Sequence, residues 1–305
     1  MSPLSNLTKM LQHEEEPFYA PNLYMYWGLY EIAKGLNVHV VLDGTDGDTT
    51  LAHSLVYLTE LTQKRQWGTL YKEIKGLSEK SKRPFRKYLW QHSIKAFAPE
   101  FIRKAWRNLH ERRRAEIDWG ILNPSFLRNS NISIDLKTML NKGIGSLQNS
   151  RLVHHSLLTS GMVTRVIEII NRAAAAFSIE PRFPFFDKRL VEFCLALPSN
   201  QKLYRGWTRI IMRRAMANIL PEIIQWRAGK TDFYPSFRQG LLDYGRESLQ
   251  EIIGNESEII GNYINKTALK ERFRGFFLQG SIEDADTVWK SVVLAKWFHC
   301  ASVSC

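Results

Sequence analysis

Apolar residues recur at helical spacing along most of this chain, and one short run near the amino terminus has strand character instead. The spacing predicts a helix from about Tyr24 to Ala33 that ends at Gly35, because glycine readily takes the left-handed conformation at a helix carboxyl terminus. The segment 38–42 is short, β-branched and flanked by turn residues, which predicts a buried strand. After Leu55 the pattern is almost entirely helical.

The second half of the chain contains further predicted helices. One runs from about Met162 to Ala176, and others follow Asp187 and Thr208, whose side-chain oxygens suit the N-cap position. A single strand cannot form a parallel sheet by itself. We therefore expect the rest of the sheet to lie outside this chain, and we expect apolar surface to be exposed at the open edge.

Composition excludes several classes of protein. With 305 residues, 44% of them hydrophobic and 24% charged, the chain has ordinary globular composition rather than that of a disordered polymer. Three cysteines are too few for a disulfide framework and lack metal-binding spacing. No apolar run approaches the ~18 residues of a membrane span, and the first residues are too polar for a secretory signal. These features favour a cytoplasmic protein with no membrane span.

Positive charge is concentrated in one stretch of the chain. The formal net charge is +12, and twelve Lys or Arg residues against two acidic residues lie between Lys80 and Arg114. The spacing of apolar residues there predicts amphipathic helices with a basic solvent face. That face is either simply solvated or binds an acidic peptide, nucleotide phosphates or nucleic acid. Nucleic acid is the least favoured partner, because no recognised nucleic-acid-binding motif accompanies the charge.

A turn rich in glycine and aspartate follows the predicted strand and reads DGTDGD over residues 43–48. Glycines let the backbone turn tightly and approach a ligand, and carboxylates at the carboxyl end of a strand can hold Mg²⁺ beside phosphates. An ordinary surface turn has the same letters, so both a structural and a binding role stay open. A phosphate loop of the GxxxxGK(S/T) type is absent from the sequence.

Two later segments also carry residues suited to chemistry. The segment 180–187, EPRFPFFD, contains two prolines and three phenylalanines and predicts a rigid, buried turn that starts a capped helix. The segment 206–230 places arginines and lysines on and after a short helix. Such cations suit phosphate or a developing oxyanion, and they are equally common on a surface helix.

The order of these three segments resembles the synthetase domain of the asparagine synthetase family, from about residue 15 to about residue 245. The turn at 43–48 is similar to the family's GxGxDE motif, and the chain looks most like the branch that includes lasso-peptide cyclases. The resemblance implies a mostly α chain with a small α/β remnant, in an incomplete adenine nucleotide alpha hydrolase-like (N-type ATP pyrophosphatase) fold. We expect residues 1–60 to form the rear of the nucleotide-binding layer, 61–245 a helical synthetase region and 246–305 the C-terminal helices.

The resemblance also implies a reaction. Family members activate a carboxylate with ATP and Mg²⁺, release pyrophosphate and form an acyl-adenylate, which an amine converts to an amide and AMP. The expected substrate is therefore a carboxylate or a precursor peptide, and the protein mainly positions reactants and stabilises charge. Carried onto this sequence, the resemblance assigns catalysis to Lys230 and Asp46, Mg²⁺ binding to Asp48, and cofactor binding to Gly44, Gly47, Asp48, Arg209 and Arg213. It gives Arg182 and Asp187 a role in shaping the site.

The chain departs from the family pattern at several points. The family's SGGxDS loop, which cradles pyrophosphate, is absent from the sequence, as is a glutaminase half. Thr45 stands where asparagine synthetases carry glutamate, and Asn171 where the family usually has aspartate. We expect an upstream half or a partner synthetase to supply the loop, so that the isolated chain is an impaired ligase of the asparagine synthase type. The alternative is a catalytically silent fragment that binds an acidic peptide or a partner synthetase.

The histidines are predicted to be structural. His154 and His155 are adjacent and lack a third ligand at useful spacing, which argues against a metal site. His39, in the predicted strand, and His53, after the acidic turn, are assigned structural roles as well.

Overall fold

The computed structural model describes residues 2–52, 54–94, 119–130, 149–229, 232–255 and 260–303, and helices dominate them. The prediction of a mostly α chain with a small α/β portion is confirmed. The α-helices are α1 Leu7–Glu14, α2 Leu23–Gly35, α3 Gly47–Thr50, α4 Val56–Gln63, α5 Trp67–Ser81, α6 Phe85–Leu89, α7 Pro124–Asn129, α8 Ser150–Leu158, α9 Gly161–Ala175, α10 Lys188–Ala196, α11 Ile210–Ala215, α12 Glu222–Gln225, α13 Tyr234–Tyr244, α14 Arg246–Asn255, α15 Lys266–Gln279 and α16 Ile282–Val303.

The α/β portion is a parallel pair of strands. Strand β1, Val40–Leu42, pairs with β2, Glu180–Arg182, so that Val40 lies opposite Glu180 and Leu42 opposite Arg182. A rigid turn was predicted for the start of the second segment, and the structure corrects this: its first three residues form a strand, and a 3₁₀ turn over Pro184–Phe186 follows them. Pairing with β1 across more than a hundred intervening residues is a tertiary effect that local sequence does not report.

The expectation that β1 is buried is wrong. Val40 is 41% exposed and Leu42 is 71% exposed, whereas Val41 packs against the main core. Successive side chains of a strand point to opposite faces, so one face of the pair is covered and the other is open. Within the described residues β2 is the sole strand neighbour of β1, and the expected exposure of apolar surface at this sheet is observed.

A small antiparallel hairpin supports the third segment. Strand β3, Leu203–Tyr204, pairs with β4, Trp207–Thr208, through a two-residue turn in which Arg205 and Gly206 both have positive φ. A Cβ on Gly206 would lie 2.0 Å from the carbonyl carbon of Gly76 in α5, so only glycine allows this approach of the hairpin to α5. The hairpin also corrects the predicted cap: Thr208 ends β4, and Arg209 is the N-cap residue of α11.

Other predicted boundaries agree closely with the structure. Helices α2 and α9 cover the predicted ranges to within two residues, and the Asp187 carboxylate caps α10 by accepting from the Arg189 amide at 2.9 Å. Gly35 does not take the left-handed conformation expected of it. That conformation occurs two residues later, at Asn37, because α2 extends through Gly35 before the chain turns toward β1.

The described helices pack into two hydrophobic cores. The larger core joins α1 and α2 to α9 and to the helices from α13 onward, with Trp289, Phe276 and Tyr30 among its largest buried side chains. The smaller core joins α4, α5 and α6 to β3. These cores cross the predicted divisions at residues 60 and 245, and the division into domains stays a prediction.

Some of the sequence predictions fall on residues that the structure does not describe. Most of the basic stretch, from residue 95 to residue 114, lies outside the described residues, as does His53. Among the described helices, none combines the length and the apolar character that crossing a bilayer requires.

A buried carboxyl group in the larger core is a source of pH dependence. Glu14, at the end of α1, is fully buried, and among the described residues neither of its carboxylate oxygens has a hydrogen-bond partner. Burial raises the pKa of Glu14 to about 8, an effect that the charge of Arg172 opposes and that of Glu16 reinforces. The folded protein therefore holds the Glu14 proton over a pH range in which the unfolded chain loses it.

We predict that Glu14→Gln makes the protein less sensitive to alkaline pH. In the native protein, stabilisation by protonated Glu14 is complete below about pH 4.5 and is lost as the pH rises through about 8. Urea unfolding from pH 5 to pH 8 should show the variant gaining roughly 3–4 kcal/mol on the native protein across this range. The control is Glu247→Gln, at an exposed position on α14. Parallel pH profiles for native protein and Glu14→Gln would contradict the assignment.

Candidate active site

The three sequence segments meet at a cleft of about 470 Å³ beyond the carboxyl ends of β1 and β2. This is the edge at which open parallel sheets bind ligands, and the volume is typical of small-molecule sites. The acidic turn forms one wall, and the segment around α11 and α12 forms the other. Lining residues include Gly44, Asp46, Gly47 and Asp48 on the first wall, Arg209, Arg213, Arg227 and Gly229 on the second, and apolar side chains such as Phe185, Met212, Met216 and Ile224.

Hydrogen bonds fix the start of the acidic turn. The Asp43 carboxylate accepts from the Thr45 amide at 2.7 Å and from the Thr45 hydroxyl. Because that hydroxyl has a single proton, the Tyr26 hydroxyl, 2.9 Å away, donates to Thr45. Thr45 is thus held as part of the turn. Sequence reasoning missed Tyr26, whose position on α2 gives no local sign of this contact.

The middle of the turn packs closely on Phe185. Asp46 takes a left-handed conformation with φ of 55°, after which α3 begins at Gly47. A Cβ on Gly47 would meet the Phe185 ring at 3.0 Å, and the Thr50 hydroxyl donates to the Phe185 carbonyl at 2.8 Å. Gly44 has open space at its Cβ position. The 3₁₀ turn after β2 therefore holds the middle of the acidic turn in place, while the space beside Gly44 stays open.

An ion pair crosses the cleft between Asp48 and Arg209. The side chains are 49% and 32% exposed, so solvent screens the pair and it contributes little to stability. Such a pair can exchange partners at low cost when a charged ligand enters. Sequence analysis assigned both residues to ligand binding but did not predict that they pair with each other.

Arg213 connects parts of the cleft wall. Its side chain is largely buried and donates to the backbone carbonyls of Thr208 at 2.9 Å, Gln225 at 2.5 Å and Arg227 at 3.1 Å. The Gln225 amide nitrogen donates back to the Arg213 carbonyl at 2.6 Å. These contacts show Arg213 fixing the segment 225–227, which leads toward Lys230.

The remaining predicted residues differ in where they lie. Lys230 falls outside the described residues, although its neighbour Gly229 lines the cleft. Arg182 is exposed and pairs with Glu180, and Asp187 pairs with Arg189, so neither side chain lines the cleft.

A buried histidine links the acidic turn to the helices behind it. The Nε2 atom of His154 lies 3.0 Å from the Thr49 carbonyl oxygen, and its Nδ1 atom lies 2.9 Å from the Lys202 ammonium. Since an ammonium group only donates, Nδ1 accepts and the proton sits on Nε2, which donates to Thr49. Burial, helped by the charge of Lys202, lowers the pKa of His154 to about 4, and burial lowers the pKa of Lys202 to about 8.

This link gives His154 the structural role that sequence analysis expected, and adds a partner that it missed. Lys202 lies 48 positions away along the chain, so no sequence spacing reveals the pair. The contact ties α3, which carries Asp48, to α8.

The carboxylates of the turn suit a magnesium ion that arrives with phosphates. Within the described part of the chain, no cluster of three or more His, Cys, Asp or Glu side chains is placed to hold a metal by itself. Mg²⁺ usually retains several waters and takes only one or two protein carboxylates beside substrate phosphates. Asp46 and Asp48 both line the cleft, and they match this donor set.

Comparison with known proteins relates the chain to one family. The family model for asparagine synthase matches residues 2–299. Asparagine synthetase [glutamine-hydrolyzing] 3 of Bacillus subtilis (strain 168) is 25% identical over 113 residues, which cover 36% of this chain and 18% of that protein. The match thus spans about a fifth of the length of that curated relative. No solved structure matches the chain.

We predict that the His154–Lys202 pair is energetically coupled. His154→Leu leaves the Lys202 charge buried without its acceptor and should cost about 2–4 kcal/mol of unfolding free energy. Lys202→Met removes the charge and should cost less. The double variant removes both partners and should be at least about 1 kcal/mol more stable than the sum of the single effects implies. Urea unfolding at pH 7 measures all three variants, and strictly additive losses would contradict the coupling.

Proposed function

The chain belongs to the asparagine synthase family, and we propose that it forms amide bonds with ATP at the cleft between the acidic turn and α11. The observation that carries the proposal is the meeting of Asp46 and Asp48 with Arg209 and Arg227 in one cavity. Carboxylates on one wall suit a magnesium ion, and guanidinium groups on the other suit phosphate oxygens. Mg·ATP fits this arrangement because it carries both the metal ion and the phosphate oxygens.

The proposed reaction proceeds in two displacements. A substrate carboxylate oxygen attacks the α-phosphorus of ATP, and pyrophosphate leaves with the electrons of the broken P–O bond. An amine then attacks the carbonyl carbon of the acyl-adenylate, loses a proton and expels AMP. The first step is needed because a carboxylate is a poor acyl donor until one oxygen is bonded to phosphate.

The residues of the cleft have separate roles in this proposal. Asp48 and Asp46 hold Mg·ATP, and Arg209 exchanges the Asp48 carboxylate for a phosphate oxygen when the nucleotide binds. Arg213 positions the backbone of the cleft wall rather than binding the phosphates, because its guanidinium group already donates to three backbone carbonyls. Lys230 comes three residues after the segment 225–227 that Arg213 fixes. It stabilises charge on the phosphates as the bond breaks.

The identity of the acyl donor and the amine is a further step. The likeness to the lasso-peptide cyclase branch favours a peptide carboxylate over free aspartate. The alternative function, a catalytically silent chain that binds an acidic peptide or a partner synthetase, shares the same cations but requires no nucleotide.

Calorimetric titration with Mg·ATP tests the cleft. We expect sub-millimolar binding by the native chain, weakened about 10- to 100-fold in Asp48→Asn and in Arg209→Met, because each variant loses a charge-assisted contact. Asp243→Asn, at an exposed position on α13, is the matched control and should bind as the native protein does. Absence of binding at millimolar nucleotide would contradict the proposal and favour the silent alternative.

Trapping with hydroxylamine tests the chemistry. Hydroxylamine replaces the natural amine. The chain, supplied with the upstream half or partner synthetase expected to provide the SGGxDS loop, is incubated with Mg·ATP and a panel of carboxylates, free amino acids and peptides. It should form hydroxamate and AMP in equal amounts. Lys230→Met should lose product formation at least about 100-fold while keeping Mg·ATP affinity within a few fold. The control is Lys188→Met, whose side chain is 86% exposed. Nucleotide binding without AMP from any member of the panel would contradict amide formation.

A further inference from the structure

A second cavity lies on the opposite side of α11 from the cleft. It has a volume of about 570 Å³ and lies between α5, the β3–β4 hairpin and α11. Ile210 and Arg214, one helical turn apart on α11, face this cavity, whereas Met212 and Met216 face the cleft. We call it the basic groove and define it by Lys72, Lys75, Lys80, Arg205 and Arg214, together with the rings of Tyr71, Tyr204 and Trp207.

The basic groove carries an excess of positive charge, although the buried Glu73 carboxylate partly offsets the charges of Lys80 and Arg205. Five cations line it against one carboxylate, Glu79. Among the described residues, no ion pair joins any of these five cations to an acidic side chain. Because the cations outnumber the nearby carboxylates, they repel one another, and an acidic ligand that occupies the groove gains from relieving this repulsion.

Aromatic rings hold several of these cations in place. The Lys80 ammonium lies 4.7 Å from the centre of the Trp207 ring, and the Arg205 and Arg214 guanidinium groups lie 5.5 Å and 5.0 Å from the Tyr204 ring. Such contacts restrict long side chains that would otherwise sample many rotamers. These cations therefore lose less conformational entropy when a ligand binds than free side chains would.

The same contacts decide what kind of acidic ligand fits. Single-stranded nucleic acid binds by stacking bases on open aromatic faces. Here the faces of Tyr204 and Trp207 are engaged by cations, the Trp207 ring contacting Arg213 at 4.8 Å as well as Lys80. The exposed rings of Tyr71 and Trp226 remain for apolar contact. The groove thus offers N–H donors to oxyanions and a few rings and aliphatic carbons to apolar groups, a combination that suits an acidic peptide.

The dimensions of the groove also fit an extended peptide. Lys72, Lys75 and Lys80 lie along α5, and the eight helical rises from the first to the last span about 12 Å. An extended peptide covers this length with about four residues. Several carboxylates on one peptide can therefore meet several lysines at once, which a single small anion cannot do.

We propose that the basic groove binds an acidic peptide segment, and that this segment belongs to the substrate whose carboxylate is activated in the cleft. The second half of the statement rests on the proposed function; the first half does not. Helix α11 is the shared wall, so a peptide anchored in the groove lies close to the cleft. Arg213 contacts both sides, through the Trp207 ring and through the carbonyls of Gln225 and Arg227.

The test measures fluorescence anisotropy of a labelled eight-residue peptide of alternating glutamate and leucine, with the full chain at low salt. The double variant Lys72→Met/Lys75→Met changes two exposed residues and should weaken binding at least about 10-fold. The control, Lys266→Met/Lys270→Met, removes the same charge from exposed positions on α15 and should stay within about twofold of the native chain. Replacing each glutamate of the peptide by glutamine should abolish binding.

Several results would overturn the proposal. Equal losses in the two double variants would show that binding follows net charge and not the groove. Equal binding of the glutamine peptide would show that carboxylates are not recognised. Tighter binding of an eight-nucleotide thymidine oligomer, again lost in Lys72→Met/Lys75→Met, would assign the groove to nucleic acid.

Mg·ATP titration of the same variants separates this proposal from the proposed function. The variant Lys72→Met/Lys75→Met should bind Mg·ATP like the native chain, because neither lysine lines the cleft. Peptide binding without nucleotide binding would support the groove and contradict the amide-forming reaction. Nucleotide binding without peptide binding would do the reverse.

Discussion

The parallel pairing of β1 with β2 is the constraint on which the site depends. Leu42 lies opposite Arg182, and the Asp43 amide donates to the Arg182 carbonyl at 2.7 Å, so both strands end at the same level. The acidic turn and the Phe185 turn therefore leave the sheet side by side, and the second holds the first. A slip of one residue in this register would turn Val41 outward and remove the sheet's contact with the larger core.

The site was predictable to the extent that its chemistry lies in short runs. A strand followed by glycines and carboxylates indicates a ligand-binding turn. The order of the three segments carries the family resemblance, and that resemblance implies that they share one site. The contacts among them were not predictable, because they join residues far apart in sequence. The pairs Asp48–Arg209 and His154–Lys202 exist only once the fold brings their helices together.

Errors of local prediction have a common physical origin. Threonine is a favourable helix N-cap, yet Thr208 is a strand residue of the hairpin, whose position is set by the packing of Gly206 directly on Gly76. The start of the segment 180–187 has a central proline and no strand signal, yet its backbone pairs with β1. In both cases a tertiary contact outweighs a weak local preference.

Pro181 makes the two edges of the two-stranded sheet different. Glu180 and Arg182 turn their amides and carbonyls toward β1, so the groups of Pro181 face the outer edge, where proline has no N–H to offer. On the other side, the backbone groups of Val40 and Leu42 point away from β2, and those two side chains are the exposed ones. Lateral growth of the sheet is thus disfavoured past β2 and permitted past β1. A strand that extends this two-stranded sheet, whether in a functional complex or in an aggregate, is expected to add beside Val40 and Leu42.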